Sequence, residues 1–371
     1  MKVERESAGF ALPFTAGVLL AAYSGYCIRT SISIVPLSAF LVTALSLSLL
    51  LHPFRKGIGT YLQWCLICLA AFSAGMVCGF TAAHCQIGSI SSGISLWAEG
   101  WGKKMQESID KIPFNDSRCN AIAKALVTGE KCDIPKEIII AFRDSGASHI
   151  LALSGLHLGI IYSIINRSLS IVGNYRSIWI PRSLAIVIAC GFYTIATGAG
   201  PSIVRAFLFI ALAEFGRLAH RHSSTGQLLF SALILQLTLS PFSVKSVGFQ
   251  LSYAAMAGIA FIFPRLKSLW PGKYSDDSPF TRSIRKIWDM SAMSISCQIT
   301  TAPLAWTYFG TFPRHFLLTN LLALPLTGII IPAILITLGL SSCGICPPAV
   351  ITFTELLIST LITILDIIAK M

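Results

Sequence analysis

The chain has 371 residues, of which 54% are hydrophobic and only 12% are charged, and its mean hydropathy is +0.73. A soluble domain needs about a quarter of its residues charged to cover its surface. Because this chain has only about half that fraction of charged residues, most of its surface is expected to face lipid. The composition therefore predicts an integral membrane protein. It excludes a disordered chain, a small disulfide-stapled secreted protein and a soluble nucleotide-dependent enzyme.

Apolar segments recur along the whole chain and predict an all-α polytopic membrane protein. A helix needs about 20 apolar residues to cross about 30 Å of hydrocarbon, and only helices and closed barrels satisfy their backbone groups in lipid. We predict ten or eleven transmembrane helices and one helical extracytoplasmic loop. The apolar segments cover residues 10–28, 32–51, 61–83, 150–165, 178–197, 204–218, 227–244, 247–263, 287–309, 316–340 and 345–368.

The positions of Lys and Arg orient these segments. The net charge is +12, and most basic residues between the spans fall in cytoplasmic loops if the N-terminus is cytoplasmic. This orientation divides the chain into a three-helix membrane region (1–83), an extracytoplasmic loop (84–149) and a transmembrane channel domain (150–371). Within the loop, the apolar periodicity of 96–112 and 119–128 predicts amphipathic helices on the outer surface of the membrane.

The cysteines predict at most one disulfide and no metal site. Cys119 and Cys132 share the exported loop, where oxidation is permitted, so a Cys119–Cys132 disulfide is possible. The Cys-x-x-Cys pairs at 65/68 and 343/346 have no second pair or His at zinc spacing. We therefore predict neither a bound metal nor another cofactor.

Ionisable and polar residues at membrane depth are the candidate functional residues, because those that persist there usually face a bundle interior or a water-filled path. His149 and His157 flank an apolar run, in which Ser154 and His157 would lie about one turn apart on one helix face. Arg205 follows Gly198, Gly200 and Pro201, which break the helix and free backbone groups. The remaining candidates are Glu214, Gln250 and Asn320.

Two other interpretations of these residues stay open. Gly155 and Gly159 form a Gly-x-x-x-Gly pattern that simply permits close helix packing. Ser154 and His157 could also be the nucleophile and base of an intramembrane hydrolase. The sequence lacks a Gly-x-Ser-x-Gly elbow, a His-Glu-x-x-His motif and a carboxylate placed to orient the histidine, so we predict no catalytic residue.

Several ordered segments resemble the ComEC-type competence family, the inner-membrane channel for DNA uptake. The run 142–159, FRDSGASHILALSGLHLG, resembles the signature of that family. The segments 197–206 (TGAGPSIVRA), 247–254 (VGFQLSYA) and 318–325 (LTNLLALP) resemble three further motifs in the same order, and 125–131 (ALVTGEK) resembles the element before the signature.

The resemblance implies a multi-pass protein of the bacterial inner membrane that passes a single strand of transforming DNA into the cytoplasm. It makes His157, Arg205 and Gln250 pathway or signature residues, with Arg205 the best candidate for phosphate contact. A single strand needs a cationic, wettable route. A channel or transporter for another anionic solute is the alternative function.

Longer members of that family carry two further domains that this sequence does not show. They are an oligonucleotide-binding-like exported domain and a metallo-β-lactamase-like domain with a His-x-His-x-Asp-His motif. We therefore expect no enzyme activity in this chain. The implied partners are the lipid bilayer, a separate DNA receptor, a nuclease and a cytoplasmic ATP-driven motor, since the chain has no Gly-x-x-x-x-Gly-Lys-Ser/Thr motif.

Overall fold

The computed structural model of the protein describes residues 2–24, 41, 58–84, 91–171, 179–220, 223–270, 278–310 and 314–371. These residues form helices and turns, and no strand occurs among them, which confirms the all-α fold class. The first helices, in chain order, are α1 (Lys2–Ser24), α2 (Ile58–His84), α3 (Ser91–Asp110), α4 (Ser117–Thr128), α5 (Lys136–Asp144), α6 (Ser148–Leu151), α7 (Gly155–Ile171) and α8 (Trp179–Ala196).

The second half of the described chain contributes seven further α-helices and two short segments of other helix types. A 3-10 helix (Pro241–Lys245) precedes α11, and a π-helical turn (Gly258–Ile262) joins α11 to α12. The α-helices are α9 (Pro201–Leu218), α10 (Thr225–Leu239), α11 (Val247–Ala257), α12 (Phe263–Lys267), α13 (Pro279–Phe309), α14 (Phe316–Ser342) and α15 (Pro348–Ala369).

Five helical segments in the described part of the chain are long and apolar enough to cross a membrane. This confirms a polytopic helical membrane protein. The count of ten or eleven crossings stays a prediction, and the predicted span 32–51 lies outside the described residues except for position 41. The five segments are Gln63–Thr81, Trp179–Ala196, Val247–Lys267, Phe316–Ser342 and Pro348–Ala369.

The chain forms two compact units. One comprises residues 1–91 and 221–253, and the other comprises residues 92–220 and 254–371. The predicted loop 84–149 therefore contributes almost all of its residues to the same unit as the C-terminal helices. The boundaries at 83 and 149 concern the course of the chain relative to the membrane, and they stay a prediction.

In the first unit, α1 and α2 pack backbone to backbone through glycines. A Cβ on Gly75 would overlap the carbonyl oxygen of Phe14, and a Cβ on Gly17 would overlap that of Phe72. Without a hydrophobic driving force between helices in lipid, such close approach through small residues is a main source of helix association. Glycine at these two positions therefore holds α1 against α2.

In the second unit, α4 lies in the core and not on a surface. Nine of its twelve residues are buried, and its apolar side chains share one cluster with Ile330 and Ile334 of α14 and Leu361 of α15. The helix is confirmed, but its predicted position as a surface amphipathic helix is wrong. Three of its residues are alanines, with Ala121 and Ala125 on one side of the helix and Ala123 on the other, which lets neighbouring helices approach it from two sides.

One cation is buried with α4 and has two carboxylate partners. The Lys124 ammonium lies 2.7 Å from Asp110 and 2.5 Å from Asp133. Burial alone would lower the pKa of Lys124, but the hydrogen bonds and charges of Asp110 and Asp133 outweigh it and raise that pKa. The lysine thus stays charged and joins α3, α4 and the turn after α4.

The structure contradicts the possible Cys119–Cys132 disulfide, because both cysteines are free thiols. Cys119 is fully buried, with its sulfur 3.4 Å from the Ser359 hydroxyl of α15. Cys132 is exposed in the turn after α4. Burial of Cys119 against a membrane helix separates the two thiols, and the sequence spacing alone does not show this.

Candidate functional site

The signature segment is broken, not one continuous helix as predicted for 150–165. Helix α6 ends at Leu151, Ala152 is extended, and α7 begins at Gly155. The Ser154 hydroxyl accepts a hydrogen bond from the Leu156 amide at 3.3 Å, which is the typical role of a helix-capping serine. Ser154 therefore precedes α7 and caps its N-terminus. It does not share a helix face with His157.

His157 is completely buried in the first turn of α7. Its Nδ1 accepts a hydrogen bond from the Ser154 amide at 3.3 Å, and the Ser154 hydroxyl lies 3.0 Å from the same nitrogen. Because the amide can only donate, the neutral ring carries its proton on Nε2. Among the described residues, Nε2 has no hydrogen-bond partner.

This geometry does not build a catalytic triad. A serine nucleophile needs a base whose second nitrogen is oriented by a third group, usually a carboxylate. Here Nδ1 is occupied by the helix-capping contacts, and no described carboxylate reaches Nε2. The contact of Ser154 with His157 is thus explained by the start of α7. His149, in contrast, is exposed, and its Nδ1 lies 3.2 Å from the Gly146 carbonyl oxygen.

The glycine-rich segment forms the turn between α8 and α9. Gly198 has a φ of 82° and Ala199 has a φ of 47°, so the chain reverses through the left-handed region that glycine tolerates best. Gly200 and Pro201 then start α9. Arg205 follows one turn later and is only 2% exposed, so its guanidinium is enclosed by protein.

Glu214 belongs to a polar network that joins three helices. Its carboxylate accepts a hydrogen bond from the Tyr162 hydroxyl of α7 at 3.0 Å and pairs with Arg217 of α9. Arg217 also donates to the Ser183 hydroxyl of α8 at 3.0 Å. A buried carboxylate is tolerated when it is paired in this way. Sequence reasoning missed Tyr162 and Arg217, although Arg217 at i+3 from Glu214 is the spacing of a helical ion pair.

Four of the five sequence motifs contact one another in the second unit. The Tyr193 hydroxyl, in α8 just before the glycine-rich motif, donates to the Val127 carbonyl of the first motif at 2.7 Å. A Cβ on Gly129 would lie 2.7 Å from the Leu153 side chain, so the glycine lets the signature pack on the end of α4. A Cβ on Gly155 would lie 3.5 Å from that of Ala206, which joins the signature to the segment that carries Arg205.

A third contact between motifs joins the signature to the Asn320 segment. The Thr319 hydroxyl donates to the Ser145 carbonyl at 2.6 Å. Asn320 itself lies next to this contact, and its Oδ1 is buried with no hydrogen-bond partner among the described residues. The sequence analysis singled out Asn320 but missed Thr319, which directly precedes it.

Gln250 lies in the other compact unit. Its amide donates to the Val244 carbonyl at 3.0 Å, at the end of the 3-10 helix. In the same motif, Tyr253 donates to the Gln236 side chain at 3.0 Å. The described contacts of this motif therefore position the start of α11 against the preceding turn.

A groove of about 520 Å³ runs along the exposed face of α7, between this helix and α14. Three glycines and a proline contribute little side-chain volume to the walls of the groove. Among the lining residues, Arg167 carries a charge. Because Pro332 has no N–H, the carbonyl of Gly328 loses its helical partner within this groove. The lining residues are Gly155, Leu156, Gly159, Ile160, Ser163, Ile164, Arg167, Gly328 and Pro332.

The buried candidates do not line this groove. His157, Arg205 and Glu214 are enclosed by protein, and Ser154, Asn320 and His149 are also absent from its wall. Their predicted role as pathway residues stays a prediction. The sequence analysis named none of the nine lining residues as a pathway residue, and the regular spacing Gly155, Gly159, Ser163 is the sequence signal that could have identified this face.

Apolar spans, a helix break before a buried histidine and an open groove along the following helix define a polytopic membrane protein with one candidate functional site in the described part of the chain. The sequence profile of one family, described as Competence protein, matches residues 126–371. This match includes the signature, both of its flanking helices and the groove. The chain belongs to the Competence protein family.

Individual relatives are distant and much longer. The chain is 25% identical to ComE operon protein 3 of Bacillus subtilis (strain 168), over 55% of this chain and 24% of the relative. It is 28% identical to the uncharacterized protein YcaI of Escherichia coli (strain K12), over 62% and 30%. It is 24% identical to recombination protein 2 of Haemophilus influenzae (strain ATCC 51907 / DSM 11121 / KW20 / Rd), over 57% and 27%. The chain thus matches less than a third of the length of each, and no solved structure matches it.

Proposed function

We propose that this protein is an inner-membrane channel that passes a single strand of transforming DNA into the cytoplasm. The single observation that carries the proposal is the uncovered groove along the signature helix α7, in a chain whose residues 126–371 match the Competence protein family. A DNA receptor, a nuclease and an ATP-driven motor would be separate proteins.

The composition of the groove supports a route for a flexible strand. Small residues at Gly155, Gly159 and Gly328 leave room beside α7, and glycine exposes polar backbone that an apolar side chain would cover. Arg167, at the far end of α7 from Gly155, is an exposed cation for phosphates. The α7 residues that line the groove run from Gly155 to Arg167, a rise of about 18 Å along the helix.

The test fills the groove without disturbing the fold. Nothing lies within 4 Å of a Cβ added to Gly159 or Gly328, and the same holds for Gly339, which lies on α14 outside the groove. Cells that lack the gene are complemented with wild type, Gly159→Leu, Gly328→Leu or Gly339→Leu. Cytoplasmic arrival of labelled DNA is measured, with the membrane level of each variant checked by blot.

We expect the two groove variants to reach wild-type levels in the membrane but to lose DNA uptake, while Gly339→Leu behaves as wild type. Wild-type uptake by both groove variants would show that DNA does not pass through the groove. If deletion of the gene leaves uptake unchanged, the channel proposal is wrong for this protein. Conductance of small anions by purified protein in vesicles would then favour the alternative transporter.

A further inference from the structure

Helix α3 and one end of α8 share a cluster of exposed aromatic side chains. The ring centroids of Trp97 and Trp101 lie 6.1 Å apart, and each lies within 6 Å of Phe192, at 5.7 and 5.6 Å. All three side chains are exposed. The Lys104 ammonium lies 4.8 Å from the Trp101 ring centroid, and Lys103 beside it is also exposed.

The cluster ends an apolar stripe along α8. Ile180, Leu184 and Ile188 recur every four residues and are 57–69% exposed, and Phe192 continues the same spacing. Helix α8 is one of the segments long and apolar enough to cross a membrane. We expect this exposed apolar stripe to contact lipid chains, because the exposure of so much contiguous apolar surface to water is energetically unfavourable.

A second aromatic residue marks the opposite end of α8. Trp179 is exposed and lies 5.9 Å from the His220 ring. From Trp179 to Phe192 the helix rises about 20 Å, and to its end at Ala196 about 26 Å. Aromatic residues at both ends of a span of roughly this length are typical of the two interfaces of a bilayer.

Helix α3 is held at this end of α8 by a close backbone contact. A Cβ on Gly102 would lie 2.8 Å from the carbonyl oxygen of Ala196, the last residue of α8. On α3, Trp97, Trp101 and Lys104 share one exposed face, while Met105 and Ile109 turn toward the core. Trp beside Lys on the exposed face of such a helix suits the boundary between acyl chains and phosphate headgroups.

We propose that α3 is an interfacial helix, in which Trp97 and Trp101 join Phe192 in an aromatic belt at one face of the bilayer. Trp179 belongs to the belt at the other face. Lys103 and Lys104 contact headgroup phosphates. The proposal does not depend on DNA transport. It also places the turn 197–200, which follows Ala196 beside α3, at the level of the lipid headgroups.

The orientation of these belts follows from the basic residues near Trp179. Arg182 of α8 donates at 3.0 Å to the carbonyl of Asn166, the residue before Arg167 on α7, and Arg217 of α9 donates to Ser183. Helices α7, α8 and α9 thus all bring arginines to this end. Lys and Arg concentrate on the cytoplasmic side of membrane proteins. The α3 belt is therefore the extracytoplasmic one.

The experiment measures tryptophan quenching in vesicles of phosphatidylcholine and phosphatidylglycerol brominated either near the headgroup or near the end of the acyl chain. The full chain is compared with the double variant Trp97→Phe/Trp101→Phe, which keeps apolar rings and removes their emission. The difference in emission reports on the two tryptophans. Ile188→Trp, in the middle of the stripe, is the depth control, because the exposed Ile188 position accommodates a larger ring.

We expect headgroup-proximal bromine to cause the larger loss of the Trp97 and Trp101 emission, and terminal bromine to cause the larger loss of the emission added by Ile188→Trp. Quenching of Trp97 and Trp101 by aqueous iodide, but by neither lipid, would overturn the proposal. Quenching by an added oligothymidylate instead of by lipid would also overturn it, since the aromatic cluster would then stack on bases.

Discussion

The Thr319 hydroxyl donates a 2.6 Å hydrogen bond to the Ser145 carbonyl, and both residues are completely buried. The two residues are 174 positions apart in the chain. The bond holds the N-terminal turn of α14 against the loop that precedes α6, so it joins two motifs that the sequence shows only as separate segments. A buried carbonyl that loses its donor costs more than the net value of the bond.

We expect Thr319→Val to lower stability by about 1–3 kcal/mol, because the Ser145 carbonyl would remain buried without its donor. The measurement is thermal unfolding of the purified protein in detergent. Thr319→Ser keeps the hydroxyl and is the matched control, with a much smaller effect. Equal losses in both variants would show that the methyl group, and not the hydrogen bond, matters.

Gly75→Ala should separate α1 from α2, because the new Cβ would overlap the carbonyl oxygen of Phe14. Overpacking of this kind costs about 1–3 kcal/mol, and we expect a lower midpoint of thermal unfolding and less protein in the membrane. Gly339→Ala, which has open space around the added Cβ, should not change either quantity. A wild-type midpoint for Gly75→Ala would contradict the close packing of the two helices.

Asp116 caps α4, since its carboxylate accepts the Arg118 amide at 2.8 Å. Hydrogen bonding to the Arg118 guanidinium lowers the pKa of the Asp116 carboxyl. The stabilisation that depends on its charge is therefore fully present above the unfolded pKa of about 3.9, and it is lost as the pH falls through the lower folded pKa. Asp116→Ala should cost about 1 kcal/mol at pH 7.

The check on Asp116 is the difference in unfolding midpoint between wild type and Asp116→Ala, followed from neutral pH to acid. We expect the difference to shrink as the pH falls below the unfolded pKa, and to level off at the smaller value that a neutral capping oxygen supplies once Asp116 is protonated in the folded protein. Asp116→Asn retains a capping oxygen and should lose less at neutral pH. If the difference in unfolding midpoint instead grew as the pH fell, the folded protein would stabilise the protonated carboxyl, which contradicts a lowered pKa of Asp116.

Ser154→Ala separates the helix-capping role from catalysis. Loss of the contact with the Leu156 amide should lower stability by about 1 kcal/mol, while DNA uptake per molecule of inserted protein stays close to wild type. Ser154→Thr restores a capping hydroxyl and should recover the stability. Complete loss of function in a normally inserted Ser154→Ala would revive the intramembrane hydrolase.

The sequence alone was sufficient for the fold class and for several helix positions. Apolar length is a local property, so the predicted spans 61–83 and 178–197 closely match α2 and the helix α8. The turn at Gly198 and Pro201 was also visible, because glycine and proline restrict the backbone at their own positions. The sequence also identified the family resemblance through ordered motifs, and the profile match over 126–371 supports it.

Only the tertiary structure decided what surrounds each motif. The pattern of α4 predicts a surface helix, yet the helix is buried by Ile330, Ile334 and Leu361, because burial depends on neighbours that are distant in the chain. The same is true of Ser154, which caps α7 instead of sharing a helix face with His157, and of Glu214, which pairs with Tyr162. Hydropathy and spacing describe one helix at a time, whereas grooves, caps and ion-pair networks arise from helices that pack together.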